Sequence, residues 1–192
     1  LDIVDSYFDP DDPPEPPEAA RPAWAKSMKG GYLYAHIASP DVHVDERSGQ
    51  FLMYYHGLLA NGDQSTRLAK SNDGLSYSAL EPLLGPPYFR AFSFRDFVYV
   101  VTWGGEIWRA SDWEGPFEQG PQLIHYDAKE GVGEGFRHGE SHRVGSTLYI
   151  LYTRMGDCPE RIVYVTVELN DNWSSWRASE PVELLSPELE WE

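Results

Sequence analysis

The sequence predicts an all-β protein, a β-propeller made of four-stranded antiparallel blades. Three segments share one plan of short strands and polar turns, they recur about every fifty residues, and no long amphipathic helix pattern is present. A single sheet of this size buries its faces poorly, so such units are expected to stack around a common axis. A β-sandwich is the alternative, because sandwiches also place short strands and turns close together.

The start of the chain predicts a loop. Residues 1–30 contain "DPDDPPEPPEAARP", in which closely spaced prolines remove backbone donors and favour extended conformations. We expect this loop to be an acidic tail, a long insertion over the folded body, or the end of a preceding blade.

Blades are expected over residues 31–192, at about 36–86, 87–125 and 136–186. In each unit an aromatic and β-branched second strand, "FLMYYHG", "FVYVVTWG" or "TLYILYTR", stands between a short first strand and two later strands. The turn signals "RSG", "NDG", "DWEG" and "NDNW" fall where hairpins need them. Three units fall short of the about four to eight blades that close a ring. Either the chain covers part of a larger propeller, which we favour, or its two ends complete a four-bladed ring.

Charge and composition narrow the classes of partner. The chain carries 31 acidic against 15 basic residues, a formal charge of −16, which repels nucleic acids and anionic membranes. No apolar run approaches the roughly 18 residues of a membrane helix. The single cysteine, Cys158, excludes an internal disulfide and is not expected to be a nucleophile. The ligands left are neutral or cationic small molecules.

The compartment and the oligomeric state are undecided by the sequence. The cytoplasm is favoured because no signal peptide opens the chain. Leu1 without an initiator methionine nevertheless indicates a processed or truncated start.

The first strand of each unit brings a charged residue to one end of the predicted channel. In a propeller the innermost strand of each blade lines the channel, and these strands begin near Asp41, Arg90 and Glu140. Facing carboxyl groups are what glycoside cleavage requires, because one protonates the leaving oxygen while another activates water or attacks the sugar. The sequence therefore predicts an acidic sugar site.

Four stretches carry a resemblance to a known family. "SPDVHVDERSGQFLMYYHG" places Pro-Asp before a tyrosine-rich strand, and "RLAKSNDGLSYS", "RASDWEGPFEQGPQLI" and "HGESHRVGSTLYILYTR" follow it. Together they resemble the five-bladed propeller glycosidases of the arabinanase and β-xylosidase type, over about residues 32–185. The pattern is closest to uncharacterised glycoside-hydrolase-like members, and it implies a five-bladed propeller that is incomplete in this chain.

The resemblance also implies roles for two acids. Asp41 corresponds to the second-blade acid that orients and tunes the proton donor, and Glu140 corresponds to that proton donor. The family's base from the first blade has no counterpart before "GGYLYAHIASPDV", so it is expected from a segment outside this sequence or from the acidic loop. Judged from the residues alone, Asp41 could instead cap a turn. Glu140 could belong to a surface ion-pair cluster with Arg137, His138, His142 and Arg143.

Further polar and aromatic residues are candidates for binding the substrate, among them Arg137 and His138, which stand just before Glu140. His36, His43 and His56 lack a tight metal-ligand spacing, so hydrogen bonds to sugar hydroxyls are favoured over a metal. Alternation places His43 on the same strand face as Asp41. No cofactor is expected, although a channel cation such as calcium stays open.

The ends of the second strands suggest one position that is repeated around the rim of the predicted channel. His56, Trp103 and Arg154 fall at or just after these ends, where His and Arg would hold hydroxyls and Trp would stack on a sugar or pack between blades. Arg90 either pairs with the neighbouring acids or binds an anionic sugar such as a uronate.

The function predicted is hydrolysis of a glycosidic bond by carboxylates in a central funnel. Two alternatives from other classes remain, a propeller that binds carbohydrate without catalysis and a propeller that binds a protein partner.

Overall fold

The computed structural model describes residues 36–59, 63–125, 136–154 and 157–189. The loop predicted for residues 1–30 lies outside the described residues. Within the described part, the chain forms three four-stranded antiparallel sheets, each with its strands in chain order. The only helix there is a short 3-10 turn at Trp173–Ser175. The prediction of an all-β chain built from four-stranded antiparallel sheets is therefore confirmed.

The first sheet is built by the Pro-Asp segment and the tyrosine-rich strand after it. Its strands are β1 (Ile37–Val44), β2 (Phe51–Leu58), β3 (Gln64–Ser71) and β4 (Ser78–Ala79).

The second sheet follows the same plan with shorter strands. They are β5 (Arg90–Phe94), β6 (Phe97–Val101), β7 (Glu106–Ala110) and β8 (Glu118–Gln122).

The third sheet has the clearest alternation of buried residues with more accessible ones, in β10 and β11. Its strands are β9 (Phe136–Val144), β10 (Thr147–Arg154), β11 (Ile162–Glu168) and β12 (Val182–Leu185).

The chain divides into two compact units, one ending at Phe89 and the other beginning at Arg90. The first unit contains the first sheet, and one of its faces carries a small apolar cluster of Tyr55, Leu59 and Ala69. The second unit contains the other two sheets, which share one large buried core. Within this second unit the first strands β5 and β9 lie side by side.

The turn between β3 and β4 is organised by Asp73, in the predicted "NDG" signal. Asp73 Oδ1 accepts hydrogen bonds from the amides of Ser76 at 2.7 Å and Leu75 at 2.8 Å, and from the Ser71 hydroxyl at 2.8 Å. Gly74 follows with a φ of 73°, which a side chain disfavours. The hydrogen bonds from Ser76, Leu75 and Ser71 lower the pKa of Asp73 below its ordinary value.

This turn is expected to give the protein a pH-dependent stability. Because the pKa of Asp73 is lower in the folded chain, its contribution is present above its unfolded pKa of about 3.9 and is lost as the pH falls below that value. We expect Asp73→Ala to lower Tm by about 2–4 °C at pH 7. The difference from the unmodified protein should shrink below about pH 4, measured by thermal unfolding. Replacement of the exposed Glu81 by alanine is the control, and an equal loss for Asp73→Ala at all pH values would contradict the prediction.

Candidate functional site

A non-glycine residue in the left-handed region stands two positions before the predicted site residue of each first strand. The φ angles are 53° at Ser39, 65° at Tyr88 and 49° at His138. The residues two positions later are Asp41, Arg90 and Glu140. The three positions that the sequence analysis treated as equivalent thus share one backbone feature.

A β-bulge accompanies this feature in the first and third sheets. Two residues separate Ala38 from Asp41 in β1, whereas one residue separates their partners in β2. The same offset occurs between Arg137 and Glu140 in β9, opposite β10. Bulges of this kind bend a strand and re-aim the side chain that follows, and they are over-represented beside active sites.

The local sequences accommodate the two bulges in different ways. In β1 Ser39 and Pro40 stand opposite the single residue Tyr55, and proline has no backbone N–H that the bulge would leave unpaired. In β9 a Cβ atom at Gly139 would overlap the ring of Phe136, which is buried. Glycine therefore allows Phe136 to pack across the bulge immediately before Glu140.

The backbone at these positions is strained. A positive φ is uncommon for residues other than glycine and costs on the order of 1–3 kcal/mol. Within the described residues just one further non-glycine residue, Arg95 in the β5–β6 turn, has a positive φ. Strain therefore concentrates next to Asp41, Arg90 and Glu140.

Asp41 is buried and paired within the first unit. Its side chain is 9% exposed, and its Oδ2 lies 2.9 Å from Nε2 of His43. Both residues lie on one face of β1, as alternation predicts. Tyr54, the cross-strand partner of Asp41, is fully buried, and its ring contacts the rings of His43 and Phe89. The carboxylate is thus held in one orientation beside buried aromatic rings.

A second polar cluster lies on the Tyr54 face of β2. His56 is buried, stacks on Tyr88 with ring centroids 4.6 Å apart, and meets His36 edge-on at 5.9 Å. The structure therefore brings together two of the predicted histidines with Tyr88, which the sequence analysis did not identify. His36 and Tyr88 are partly exposed, so they are the members of the cluster that a ligand can contact.

Glu140 is exposed and lies beside Arg90. The side chains are 63% and 11% exposed respectively, and Arg90 Nε lies 3.6 Å from Glu140 Oε2. Arg90 Nε also donates a hydrogen bond to the Gly139 carbonyl at 2.6 Å, while the Ser141 hydroxyl donates to the Arg90 carbonyl at 3.2 Å. Of the two hypotheses for Arg90, these contacts favour pairing with the neighbouring acid. The guanidinium of Arg143, a member of the ion-pair cluster considered from the sequence, donates to the Gly145 carbonyl.

The remaining predicted residues occupy the bulge and the strand ends. Arg137 and His138 belong to the β9 bulge, with His138 exposed. Trp103 lies in the turn after β6 and is 43% exposed, enough to leave part of its ring open to a ligand. Substrate contacts of these residues stay predictions.

The strand register gives His56 and Trp103 the same position relative to the site residues of the first strands. His56 stands two residues after the partner of Asp41, and Trp103 two residues after the partner of Arg90. The same count in β10 leads to Thr153, the neighbour of Arg154. The second strands end at different distances from these partners, so their ends are not equivalent positions. A substrate contact of Arg154 stays a prediction.

Tyr88 and Ser141 are the site residues that the sequence analysis missed. An alignment of the three sequence repeats on Asp41, Arg90 and Glu140 would have placed Tyr88 in register with Ser39 and His138. Nothing in the sequence indicates the bond from Ser141, because it joins backbone and side chain of different strands.

The described residues contain neither a metal-ligand cluster nor a membrane-spanning helix. Across residues 36–59, 63–125, 136–154 and 157–189, no group of three or more His, Cys, Asp or Glu side chains is placed to hold a metal ion. The helix found in this part of the chain is too short to cross a membrane. The channel cation considered from the sequence stays a prediction.

Comparison with known sequences finds one significant relative. No protein family model matches the chain. An uncharacterized protein of Acanthamoeba polyphaga mimivirus is 30% identical over 169 residues, which cover 82% of this chain and 48% of the viral protein. The chain therefore spans about half the length of this relative.

Comparison with solved structures finds glycoside hydrolases. The GH32 beta-fructofuranosidase of Bombyx mori matches with a TM-score of 0.59 and 16% identity, over 76% of this chain and 37% of that chain. An endo-1,4-beta-xylanase of Bacteroides thetaiotaomicron matches with a TM-score of 0.52 and 14% identity, over 78% and 55%. A family 117 glycoside hydrolase of Zobellia galactanivorans matches with a TM-score of 0.50 and 14% identity, over 86% and 50%.

These matches establish the fold class. The chain has the β-propeller fold of glycoside hydrolases, so the predicted propeller is confirmed and the β-sandwich alternative is excluded. Identities of this size show the fold alone. The specific arabinanase and β-xylosidase type stays a prediction.

Proposed function

We propose that this protein is a glycoside hydrolase in which Glu140 donates a proton to the leaving oxygen and Asp41 is a supporting carboxylate. The observation that carries the proposal is the left-handed residue that recurs two positions before Asp41, Arg90 and Glu140. Such strain persists where the surrounding structure holds it, and it clusters at functional sites. Glycine would adopt this conformation without strain, yet the three positions carry Ser39, Tyr88 and His138.

The surroundings of the two carboxylates support different roles. Glu140 is largely exposed on its strand, so its oxygens can contact a substrate directly. Asp41 is buried and bonded to His43, which suits a group that orients others rather than one that transfers a proton. Two carboxylates in contrasting surroundings are typical of glycoside cleavage.

Polar and aromatic groups within each unit suit a sugar. His36 and Tyr88 are partly exposed beside the buried His56, and they offer hydrogen bonds to hydroxyl groups. Trp103 offers an exposed ring face for stacking. A variant of the Bombyx mori enzyme has been solved in complex with sucrose, so a protein of this fold binds a disaccharide.

The reaction requires one further carboxylate, which activates water or attacks the sugar. We assign it to a residue outside the described part of the chain. Asp41 and Glu140 therefore account for two of the acids, and the pair alone is not a complete hydrolytic set.

The full chain is expected to hydrolyse at least one glycoside and to bind it. A suitable panel contains sucrose, 1,4-β-xylo-oligosaccharides, 4-nitrophenyl xyloside and 4-nitrophenyl arabinofuranoside. Product release above the buffer rate is the first readout, and an increase in Tm with sugar concentration is the second. A mock purification from host cells without the gene controls for contaminating glycosidases.

The two readouts separate the proposal from its rivals. Turnover of any glycoside supports the hydrolase. Binding without turnover would replace it by the carbohydrate-binding propeller, and the absence of both would favour the protein-binding propeller.

A further inference from the structure

We infer that Arg90 is a positioning residue for Glu140, and that its guanidinium is not a subsite for an anionic sugar. This inference rests on the proposed function, because it assigns Glu140 the role of proton donor. It concerns β5 and β9, the two first strands that lie side by side within the second unit.

Arg90 joins these strands through both its side chain and its backbone. Its Nε donates to the Gly139 carbonyl at 2.6 Å, and its own carbonyl accepts from the Ser141 hydroxyl at 3.2 Å. The two contacts lie on either side of Glu140 in the sequence. Glu140 is thereby held from both sides, and its backbone is fixed at the point where the bulge ends.

The guanidinium also acts directly on the carboxylate. Arg90 Nε lies 3.6 Å from Glu140 Oε2, so the same group contacts the bulge carbonyl and the acid. A guanidinium presents several N–H donors in one rigid plane, whereas the ammonium of lysine is a point charge on a flexible stem. Lysine could keep the charge near Glu140, but one ammonium on a flexible stem would not hold the contacts to Gly139 and Glu140 in a fixed geometry.

The same geometry argues against an anionic sugar as the partner of Arg90. The side chain is 11% exposed and lies against Gly139 and Glu140. A sugar carboxylate at this guanidinium would have to displace the Gly139 carbonyl and the Glu140 side chain, which already lie against it. Arg90 replaces the acid found at the equivalent positions of the other sheets, and it supports the adjacent acid.

The test compares Arg90→Lys with Arg161→Lys in the full chain. Arg161 lies in the same unit and pairs with Asp157 and Glu183, so it is a matched control for loss of an ion pair. On the best glycoside of the panel, we expect Arg90→Lys to lower kcat by up to about 10²-fold, since small misplacements of a catalytic group have effects of this size. KM should change by less than about threefold because uniform binding is retained. Arg161→Lys should leave both constants unchanged.

Amide hydrogen exchange gives a readout that does not depend on turnover. We expect Arg90→Lys to speed exchange in the peptide that covers the β9 bulge by about tenfold, with no change in β11. Arg161→Lys should not affect the bulge peptide. Unchanged exchange there, or a kcat within twofold of the unmodified protein, would overturn the inference.

Failure of the proposed function has a different signature. Absence of turnover on any glycoside by the unmodified chain would overturn the proposed hydrolase function and, with it, the role of Arg90 in turnover. Amide hydrogen exchange would still test whether Arg90 holds the β9 bulge against β5. A preference for 4-nitrophenyl glucuronide over neutral glycosides that disappears in Arg90→Lys would instead assign Arg90 to an anionic substrate.

Discussion

Replacement of Glu140 by glutamine is expected to lower kcat on the best glycoside by about 10²–10⁴-fold, the usual contribution of a general acid. The amide has nearly the same shape as the carboxylic acid but cannot deliver a proton to the leaving oxygen. Binding should survive, because the residues proposed to contact the sugar are unchanged. Steady-state kinetics and the increase in Tm with sugar measure the two effects in one preparation.

Glu183→Gln is the matched control for this experiment. Glu183 is also partly exposed on a strand of the third sheet, and its carboxylate lies 3.2 Å from the guanidinium of Arg161. It is not part of the proposed site, so we expect its replacement to leave kcat unchanged. Equal activity of Glu140→Gln and the unmodified protein would remove Glu140 from the mechanism.

The leaving group provides a sharper check on the role of Glu140. A 4-nitrophenolate leaves with little help from an acid, whereas the hydroxyl of an oligosaccharide needs protonation. The loss of kcat in Glu140→Gln should therefore be larger on xylo-oligosaccharides or sucrose than on the 4-nitrophenyl glycosides. A loss of the same size on both kinds of substrate would indicate a role in binding or orientation.

Local patterns in the sequence were sufficient to predict the fold class. The "NDG" signal marks a turn because Asp73 bonds to the amides that follow and Gly74 takes the left-handed conformation. The strand "TLYILYTR" alternates buried and partly exposed residues, which is a period that only a strand produces. Such signals depend on neighbours in the sequence, so they can be interpreted without a structure.

The site was less predictable because it depends on offsets and on distant contacts. Alternation correctly placed His43 with Asp41, but the bulges at Ser39 and His138 shift the register by one residue. The second strands also end at different distances from these bulges, so a count from strand ends does not locate equivalent positions: Thr153, not Arg154, stands two residues after the partner of Glu140. The bond from Arg90 to Gly139 joins residues far apart in the chain, and no local pattern indicates it.

Replacement of Trp176 by alanine is expected to give the largest loss of stability, about 3–5 kcal/mol of the free energy of unfolding. Trp176 is 1% exposed and lies in the core of the second unit. Its ring centroid is 4.8 Å from that of Tyr99 and 6.0 Å from that of Phe94. Tyr99 and Phe94 belong to the second sheet, whereas Trp176 follows β11 of the third sheet. Alanine would leave a cavity between two sheets whose backbones are held by their own hydrogen bonds, so the surroundings cannot collapse to fill it.

Two further variants distinguish this packing role from a general effect of losing tryptophan. Trp176→Phe keeps an aromatic ring beside Tyr99 but loses the bond from Nε1 to the Asn170 carbonyl, so its loss should be clearly smaller. Trp103→Ala removes a ring that is 43% exposed, and its effect on unfolding should be smaller still. Urea unfolding followed by far-ultraviolet circular dichroism measures all three variants without relying on tryptophan emission. A loss below about 1 kcal/mol for Trp176→Ala would mean that the second and third sheets do not depend on this ring for their packing, because transfer of a buried tryptophan alone exceeds that value.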